Sequence, residues 1–526
     1  MLATRYWMNW AVLLACTLPT VGLLAQNQPP TTMTREIKTT ETRDIPLPNS
    51  MKNMLDKSQN LAPATQPKLL ERLIDQPFYT DLVKAEKRLF FGQYAEAEKA
   101  FAALKADDLA PEELPRQRVG RLEAILRQGN WAALERFDKE YAALPADQQK
   151  DPLMVALQAE SLIRHGQVEP ARLLLEAALK GKKLSVETPE LVRLQVQLGQ
   201  LLELEGQFAA AAGTYEKVVD VASDKVPDNS SLRNYLAIAI NRASVLNGGG
   251  NKLFETVLGR WAKIFEDDAT YWPAMVEAGR LLLVAHNAKE GGGLLALVTE
   301  KFGINNLDTT DMGVSYFIDS YAFEKAQEEL TKAKTKYDGP ELWALEGRLR
   351  IKQRTPEDAI PLLEKSLALN PWQPAARGWL AGAYYLRLQP EKAQAQLDAM
   401  KLSDGTVHPV TLYEAAEVLR DSRQFQLALA NYEAATKQAS WWAEPYNGLA
   451  QLFLQIGDTD QARVAHEKSF ALDPYNLRAY NQLTLLDMLA TFGRLESKNV
   501  VVRYPDAARQ VIAELALDYM DSIMPT

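Results

Sequence analysis

The sequence has only one cysteine and four histidines in 526 residues. Cys16 lies in an N-terminal segment that we expect to be removed, so the mature chain has no disulfide and its stability must come from packing. No histidine has a second one four residues away, which excludes the helical zinc pair that such spacing would form. We therefore expect no metal and no other cofactor; the histidines are His165, His286, His408 and His466.

The sequence also lacks the motifs of catalysis and of nucleotide binding. No Gly-x-Ser-x-Gly nucleophile motif occurs. The glycine run 248–250 is followed by Asn251 and Lys252, but it lacks the Gly-x-x-x-x-Gly-Lys-Ser/Thr spacing and the preceding apolar strand of a phosphate-binding loop. Acidic residues are scattered over polar helix faces without a distinct pair. We therefore expect a protein that is not an enzyme.

Clustered positive charge and long apolar runs are missing as well. The chain has 59 Lys and Arg against 68 Asp and Glu, a formal net charge of -9. Neutralising nucleic-acid phosphates needs clustered Lys and Arg, so this balance argues against a nucleic-acid binder. After residue 25 no apolar run approaches the roughly 20 residues that a membrane-spanning helix needs. We expect no integral membrane span in the mature chain.

Residues 1–25 have the pattern of a secretory signal, in which Arg5 precedes an apolar run. The pattern predicts cleavage after Ala25 and export to the periplasm or the cell exterior. The residues before Cys16 faintly resemble a bacterial lipoprotein site, but apolar residues continue after the cysteine, which argues against a lipid anchor there. Residues 26–68 are rich in Thr, Pro, Asn and Gln, and this composition predicts a disordered linker.

Most of the remaining sequence repeats one pattern of two amphipathic helices. In the clearest copy, residues 341–371, apolar side chains recur at helical spacing on both sides of a break at 354–356. Copies in the same register start at residues 272, 307, 340, 374, 409, 443 and 477. Four earlier turns are marked by Gly92, Gly129, Gly166 and Gly206, where a positive φ carries no steric cost. The pattern predicts about eleven helix pairs and a final helix over residues 69–492.

The spacing of Trp343, Gly347, Ala359 and Leu363 within this unit resembles the tetratricopeptide repeat, whose period is about 34 residues. The resemblance implies an all-α, right-handed superhelical solenoid that binds a protein or an extended peptide in a concave groove lined by the first helix of each pair. Carried onto the regular repeats, the family's groove positions are Arg348, Lys352, Tyr385, Tyr413, Glu417, Arg420, Asn447, Gln451 and Asn481. The alternative interpretation of these residues is an ordinary solvated face.

Residues 493–526 depart from the repeat pattern. A β-type run at 500–504 predicts a short strand, and 505–524 predicts an amphipathic helix. The stretch ESKNVVVRYP resembles the junction at which secreted bacterial tetratricopeptide proteins pass into a gluzincin-type metallopeptidase domain of the peptidase MA-like group. In that family the His-Glu-x-x-His helix lies further downstream, and this chain ends at Thr526 before any such motif. The other interpretation is a cap on the last repeat.

Two functional hypotheses follow from these patterns. The first is a non-enzymatic scaffold of the periplasm or the exterior that holds a protein or peptide segment in the groove. The second, resting on the resemblance at 493–526, is the substrate-presenting N-terminal region of a secreted zinc metallopeptidase whose catalytic domain is absent from this chain.

Overall fold

The structure, a computed structural model, describes residues 73–221, 226–506 and 509–523, together with Lys52. The predicted signal segment (1–25) lies outside this part, and so does the predicted linker (26–68) apart from Lys52.

The described residues form helix pairs in which a short turn joins a first helix to a second. The first helices are α1 (Asp81–Phe90), α3 (Glu113–Arg127), α6 (Pro152–Arg164), α8 (Pro189–Leu204), α10 (Ser230–Ser244), α12 (Trp272–Val284), α14 (Leu307–Asp319), α16 (Pro340–Lys352), α18 (Pro374–Leu386), α20 (Pro409–Asp421) and α22 (Ala443–Gln455). The second helices are α2 (Tyr94–Ala103), α4 (Trp131–Ala142), α7 (Val168–Leu179), α9 (Phe208–Val219), α11 (Phe254–Asp267), α13 (Ala288–Ala296), α15 (Phe323–Lys334), α17 (Pro356–Leu369), α19 (Pro390–Asp398), α21 (Phe425–Gln438) and α23 (Thr459–Leu472).

A few further elements lie between or after the pairs. They are the single turn α5 (Ala146–Gln149), the final repeat helix α24 (Leu477–Ala490), the strands β1 (Gly493–Glu496) and β2 (Val501–Tyr504), and the last helix α25 (Gln510–Ile523). Over the described residues this gives eleven pairs and a final helix, so the predicted helical solenoid is confirmed.

Local sequence explains how each pair forms and why its helices approach closely. Pro340, Pro374 and Pro409 stand at the start of first helices, where a fixed φ favours the helix and a missing N–H costs nothing. Within the pair α16–α17, a Cβ added to Gly347 would lie 2.6 Å from Cγ of Leu363. The glycine therefore makes room for the leucine, and this contact fixes the distance between the two helices.

The turn between the helices of a pair contains a residue in the left-handed region. In the early pairs this residue is glycine, as predicted at Gly92, Gly129, Gly166 and Gly206. Five later turns place a residue with a Cβ there, which costs of order 1 kcal/mol each. These residues are His286, Tyr321, Arg354, Leu388 and Arg423.

The C-terminal segment contains one strand more than the sequence predicted. β1 and β2 pair antiparallel, with Leu495 opposite Val502, and α25 packs against them through Ala513. A lone strand would leave its backbone N–H and C=O groups without partners, which is why the predicted strand needs β1. The helix begins at Gln510 rather than at 505. Arg503 ties this hairpin to the solenoid by donating to the carbonyl of Leu489 at 3.2 Å.

Successive turns of the superhelix contact one another directly. The turn inside an early pair lies against the start of a pair about five to seven pairs later, and the residues that meet are 168 to 233 apart along the chain. Tryptophan indoles make two of these links: Trp272 Nε1 donates to the carbonyl of Phe90 at 2.7 Å, and Trp372 Nε1 donates to that of Leu204 at 2.9 Å. Because each link satisfies a carbonyl near a helix end, docking the turns also caps those helices.

Apolar and charged contacts extend along the same junction. The rings of Phe254 and Tyr475 stack with centroids 4.5 Å apart. Arg164 forms an ion pair with Glu341 at 3.2 Å, and the backbone N–H of Leu477 donates to the carbonyl of Ala285 at 3.0 Å. The wall between the two superhelical turns is therefore closed along much of its length.

The contact between turns can be tested by cross-linking Asn130 to Asp338, which form an isolated parallel bridge. With Cys16 replaced by serine, Asn130→Cys/Asp338→Cys should form an intramolecular disulfide under mild oxidation, seen as a reducible mobility shift on a denaturing gel. The two single-cysteine variants are the controls. If both thiols of the double variant stay fully reactive to a maleimide after oxidation, the turns do not meet as described.

Candidate binding cavity

The stacked turns surround a space of about 2010 Å³, called the central cavity below. Most of its lining comes from the first helices of the pairs, which lie nearest the superhelix axis while the second helices pack behind them. The final repeat helix α24 contributes Leu477, Arg478, Asn481 and Gln482. The cavity is thus built by nearly the whole array and belongs to no single repeat.

Charged side chains line the central cavity with a clear excess of one sign. Eleven carboxylates and five arginines, with no lysine among the described lining residues, face it. The sign of this imbalance matches the acidic character of the whole chain. It makes the cavity a region of negative potential, because field lines concentrate in a concave, low-dielectric space.

On one wall the arginines are held by carboxylates. Arg127 lies 2.5 Å from Glu160 and 3.3 Å from Glu123, and Glu123 also lies 3.9 Å from Arg193. Burial alone would raise the pKa of Glu123, but Arg193 and Arg127 hold that pKa below its usual value. Arg242 pairs in the same way with Glu203. These arginines are therefore largely neutralised by the protein itself.

On the wall formed by α12 and α14, carboxylates outnumber cations. Glu277, Asp308 and Asp311 all act electrostatically on Arg280, and none of the three has a direct ion pair with a described residue. Burial raises the pKa of Glu277 and of Asp311, an effect that Arg280 partly offsets for both and Arg348 partly offsets for Asp311. A raised carboxyl pKa means that negative charge is incompletely compensated at this wall.

A further carboxylate whose negative charge is incompletely compensated, Glu444, lies on α22. Burial raises the pKa of Glu444 to about 7, and the negative charge of Asp473 adds to the effect, while Arg242 opposes it. At neutral pH the Glu444 carboxyl is therefore partly protonated, and a cation brought into the cavity would favour its charged form.

Aromatic rings complete the lining, with twelve Phe, Tyr and Trp side chains facing the central cavity. Tyr413 and Trp442 meet edge to face with centroids 4.9 Å apart, and Phe208 and Trp441 do so at 5.1 Å. The second pair joins different superhelical turns, so it fixes the wall as well as lining it. Such rings bind apolar stems and cations over their faces.

Two of the nine predicted groove residues, Tyr413 and Asn481, line the central cavity. Tyr385, Asn447 and Gln451 lie partly or fully buried among the helices. The other four are engaged in ion pairs with the protein: Arg348 with Asp319 at 2.8 Å, Lys352 with Asp421 at 2.6 Å, and Glu417 with Arg420 at 2.6 Å. Whether any of the nine binds a ligand stays a prediction.

The close approach of α18 and α20 explains how Lys352, on α16, reaches Asp421 on α20. A Cβ on Gly378 would lie 2.5 Å from the carbonyl of Thr411, and one on Gly382 would lie 2.6 Å from Cβ of Val418. The two first helices therefore touch directly, and Lys352 reaches Asp421 across them. The Gly-x-x-x-Gly spacing in α18 is a sequence signal for this approach that the repeat register does not include.

The cavity-lining residues of the repeats before residue 340 were missed by sequence reasoning. Pairs of opposite charge one helical turn apart, such as Glu123 with Arg127 and Glu277 with Arg280, lie on first helices and face the axis. This spacing was visible in the sequence. It was not assigned to the inner face, because the family's groove positions were carried only onto the repeats from residue 340 onward.

The described residues provide neither a metal-binding cluster nor a membrane-spanning helix. Within the described ranges, no group of three His, Cys, Asp or Glu side chains is placed to hold a metal ion. The helices described here also include none that combines the length and apolar character needed to cross a bilayer.

The fold and cavity define an all-helical repeat solenoid, and a family comparison agrees with this class. Residues 350–408 match the tetratricopeptide repeat family, which supports a tetratricopeptide repeat protein. No curated protein matches the chain.

Three solved structures show a partial likeness to the chain. The Cut9–Hcn1 hetero-tetramer of the APC/C is 12% identical over 83% of this chain and 74% of that chain, with a TM-score of 0.44. Human IFIT1, solved as a dimer with PPP-AAAA, is 15% identical over 83% and 99%, with a TM-score of 0.36. A tetratricopeptide repeat protein from Parabacteroides merdae is 13% identical over 55% and 97%, with a TM-score of 0.32.

His466 packs in the core of the pair α22–α23. It is fully buried on α23, at the position that Leu363 holds in its own pair, and neither ring nitrogen has a hydrogen-bond partner among the described residues. Burial lowers the pKa of His466 to about 4, and the nearby charge of Arg478 acts in the same direction. The folded protein therefore keeps this imidazole neutral.

This arrangement predicts a pH-dependent stability contribution from His466. An unfolded histidine has a pKa of about 6.5, so between about pH 6.5 and 4 the unfolded chain binds more protons and stability falls as the pH drops. Relative to His466→Leu, wild type should lose about 1–2 kcal/mol of unfolding free energy between pH 7 and pH 5. Urea unfolding at both pH values measures this. The difference between wild type and His466→Gln should change with pH in the same way, although glutamine lacks the apolar packing of leucine. A difference from both variants that stays constant between the two pH values would contradict the lowered pKa.

Proposed function

We propose that the protein is a non-enzymatic scaffold that holds an extended segment of a partner protein in the central cavity. The observation that carries this proposal is the cavity itself. Its volume of about 2010 Å³ is roughly twice the upper end of the range for small-molecule pockets, about 300–1,000 Å³. A space of that size, running through a repeat array, suits a polymer segment.

The lining supports a polypeptide as the polymer. Aromatic rings such as Tyr316 and Trp442 offer contact area for side chains, while amides such as Gln197 and Asn481 can bond to a peptide backbone. The carboxylate excess opposes a chain of phosphates, since binding one would bring like charges together. We therefore propose a protein or peptide partner and no nucleic acid.

The contacts between turns limit how the partner enters. Because the wall is closed by links such as Trp372 to Leu204, a folded domain cannot pass between the turns. A flexible segment enters from an end of the superhelix, or the turns separate transiently to admit it. Either route favours a partner that carries an unfolded tail or linker.

Photo-cross-linking can test the cavity as the binding surface. Benzoylphenylalanine placed at Tyr316 or Asn481, both lining the cavity, should cross-link to a distinct partner in an extract of the native cells. The same probe at Leu173, which is 53% exposed on the outer helix α7, is the matched control. Equal cross-linking from the control position, or none from either cavity position, would contradict the proposal.

We further propose that the scaffold works in the periplasm or outside the cell. This rests on the signal pattern of residues 1–25 alone. In a bacterial host with two membranes, the full chain should be recovered in the periplasmic fraction with its mass reduced by that segment. Leu13→Arg/Leu14→Arg, which interrupts the apolar run, should leave the chain uncut in the cytoplasm. Recovery of both forms in the same fraction at full mass would argue against export.

A further inference from the structure

The acidic lining of the central cavity is not matched by the protein's own cations. Of the five lining arginines, Arg127, Arg193 and Arg242 are committed to carboxylates on α3, α6 and α8. In these pairs the protein's own carboxylates neutralise the positive charge on one wall. On the wall formed by α12 and α14, only Asp319 has a direct ion pair among the described residues, with Arg348.

The wall formed by α12 and α14 places three carboxylates around Arg280. Glu277 is partly buried, Asp308 and Asp311 are open to the cavity, and Arg280 lies within the field of all three, while Arg348 also acts on Asp311. The pKa of Glu277 and of Asp311 stays raised, so these two arginines do not fully restore the charge balance of the carboxylates. Keeping uncompensated carboxylates in a confined space costs free energy that a cationic ligand would recover.

Aromatic faces lie in the same space as these carboxylates. Tyr316 is on α14, one to two helical turns beyond Asp311, and also lines the cavity. Trp442 and Tyr413 lie near Glu444 and Glu414 in the later repeats. A planar cation such as a guanidinium binds both features at once, because it pairs with a carboxylate through two N–H groups and stacks on a ring.

From the cavity, its charge excess and its aromatic faces together, we infer that the segment held in the central cavity is basic, with arginine side chains that pair with Glu277, Asp308 and Asp311. This inference rests on the proposed function and adds the chemical class of the ligand. The α12–α14 wall is then the main specificity surface. The wall on which Arg127 and Arg193 are ion-paired contacts the segment without adding much net charge.

The probes are two labelled peptides of equal length in a Gly/Ser background, one with several arginines and the other with glutamates at the same positions. Fluorescence anisotropy with the intact protein should show binding of the arginine peptide and none of the glutamate peptide. The affinity should fall as salt increases, because each ion pair formed in the cavity is screened. Failure of the arginine peptide to bind at low salt would overturn the inference.

Two double variants that remove equal negative charge show which surface contacts the arginine peptide. Glu277→Gln/Asp311→Asn removes two carboxylates from the cavity wall and breaks no direct ion pair. Glu324→Gln/Glu328→Gln removes two exposed carboxylates from the outer helix α15, so the net charge changes equally. The cavity variant should weaken binding of the arginine peptide about tenfold, as expected for losing a hydrogen bond to a charged group. The outer variant should leave it within about twofold.

The outcomes separate this inference from the proposed function. Equal weakening by both double variants would show a general charge effect and would overturn the inference. Cross-linking at Tyr316 and Asn481 to an acidic or neutral partner segment would keep the proposed function and would overturn the basic-ligand assignment alone. Thermal melting of each double variant checks that folding is retained. If the ion pair is the cause, Glu277→Asp, which keeps the charge, should bind the arginine peptide almost as tightly as wild type does.

Discussion

The contact between successive superhelical turns is the constraint on which the rest of the structure depends. A helix pair in a solenoid usually meets only its neighbours, so the array can bend and its inner face stays open. Here the turns inside the early pairs are docked on pairs about five to seven positions later, through indole hydrogen bonds, stacked rings and the Arg164–Glu341 ion pair. Docking converts an open inner face into an enclosed cavity and adds long-range contacts to an otherwise local fold.

Enclosure changes the chemistry of the side chains on the inner face. In an open groove, Glu277, Asp311 and Glu444 would be solvated carboxylates with ordinary pKa values. Inside the cavity, burial raises the pKa of each of them, and that of Glu444 to about 7. Burying carboxylates costs free energy. Arginines on one wall offset part of that cost, and the remainder is not offset. The same closure that stabilises the array therefore creates the charge imbalance that we assign to ligand binding.

The fold could be predicted from the sequence to a greater extent than the candidate site could. Helix pairs were predictable because each is encoded locally by apolar spacing, by prolines such as Pro340 and by glycine turns. The docking of turns was not, because Trp272 and Phe90 are 182 residues apart and neither belongs to a repeated motif. β1 was missed for a similar reason: its residues show no strand pattern of their own and form a strand only by pairing with β2.

The candidate site was less predictable because the regular repeats contribute little to it. The register was clearest in the later pairs, and it assigned Arg348, Lys352 and Arg420 to an open groove. Instead, Arg348 pairs with Asp319 of the preceding first helix and Arg420 pairs with Glu417 on its own helix, while glycines in α18 bring first helices close enough for Lys352 to reach Asp421. The earlier pairs, up to α14, supply most of the cavity lining instead. Packing and ligand contact thus fall to different positions: the consensus positions must fit their neighbours, whereas inner-face positions of the earlier repeats are free to carry unpaired charge.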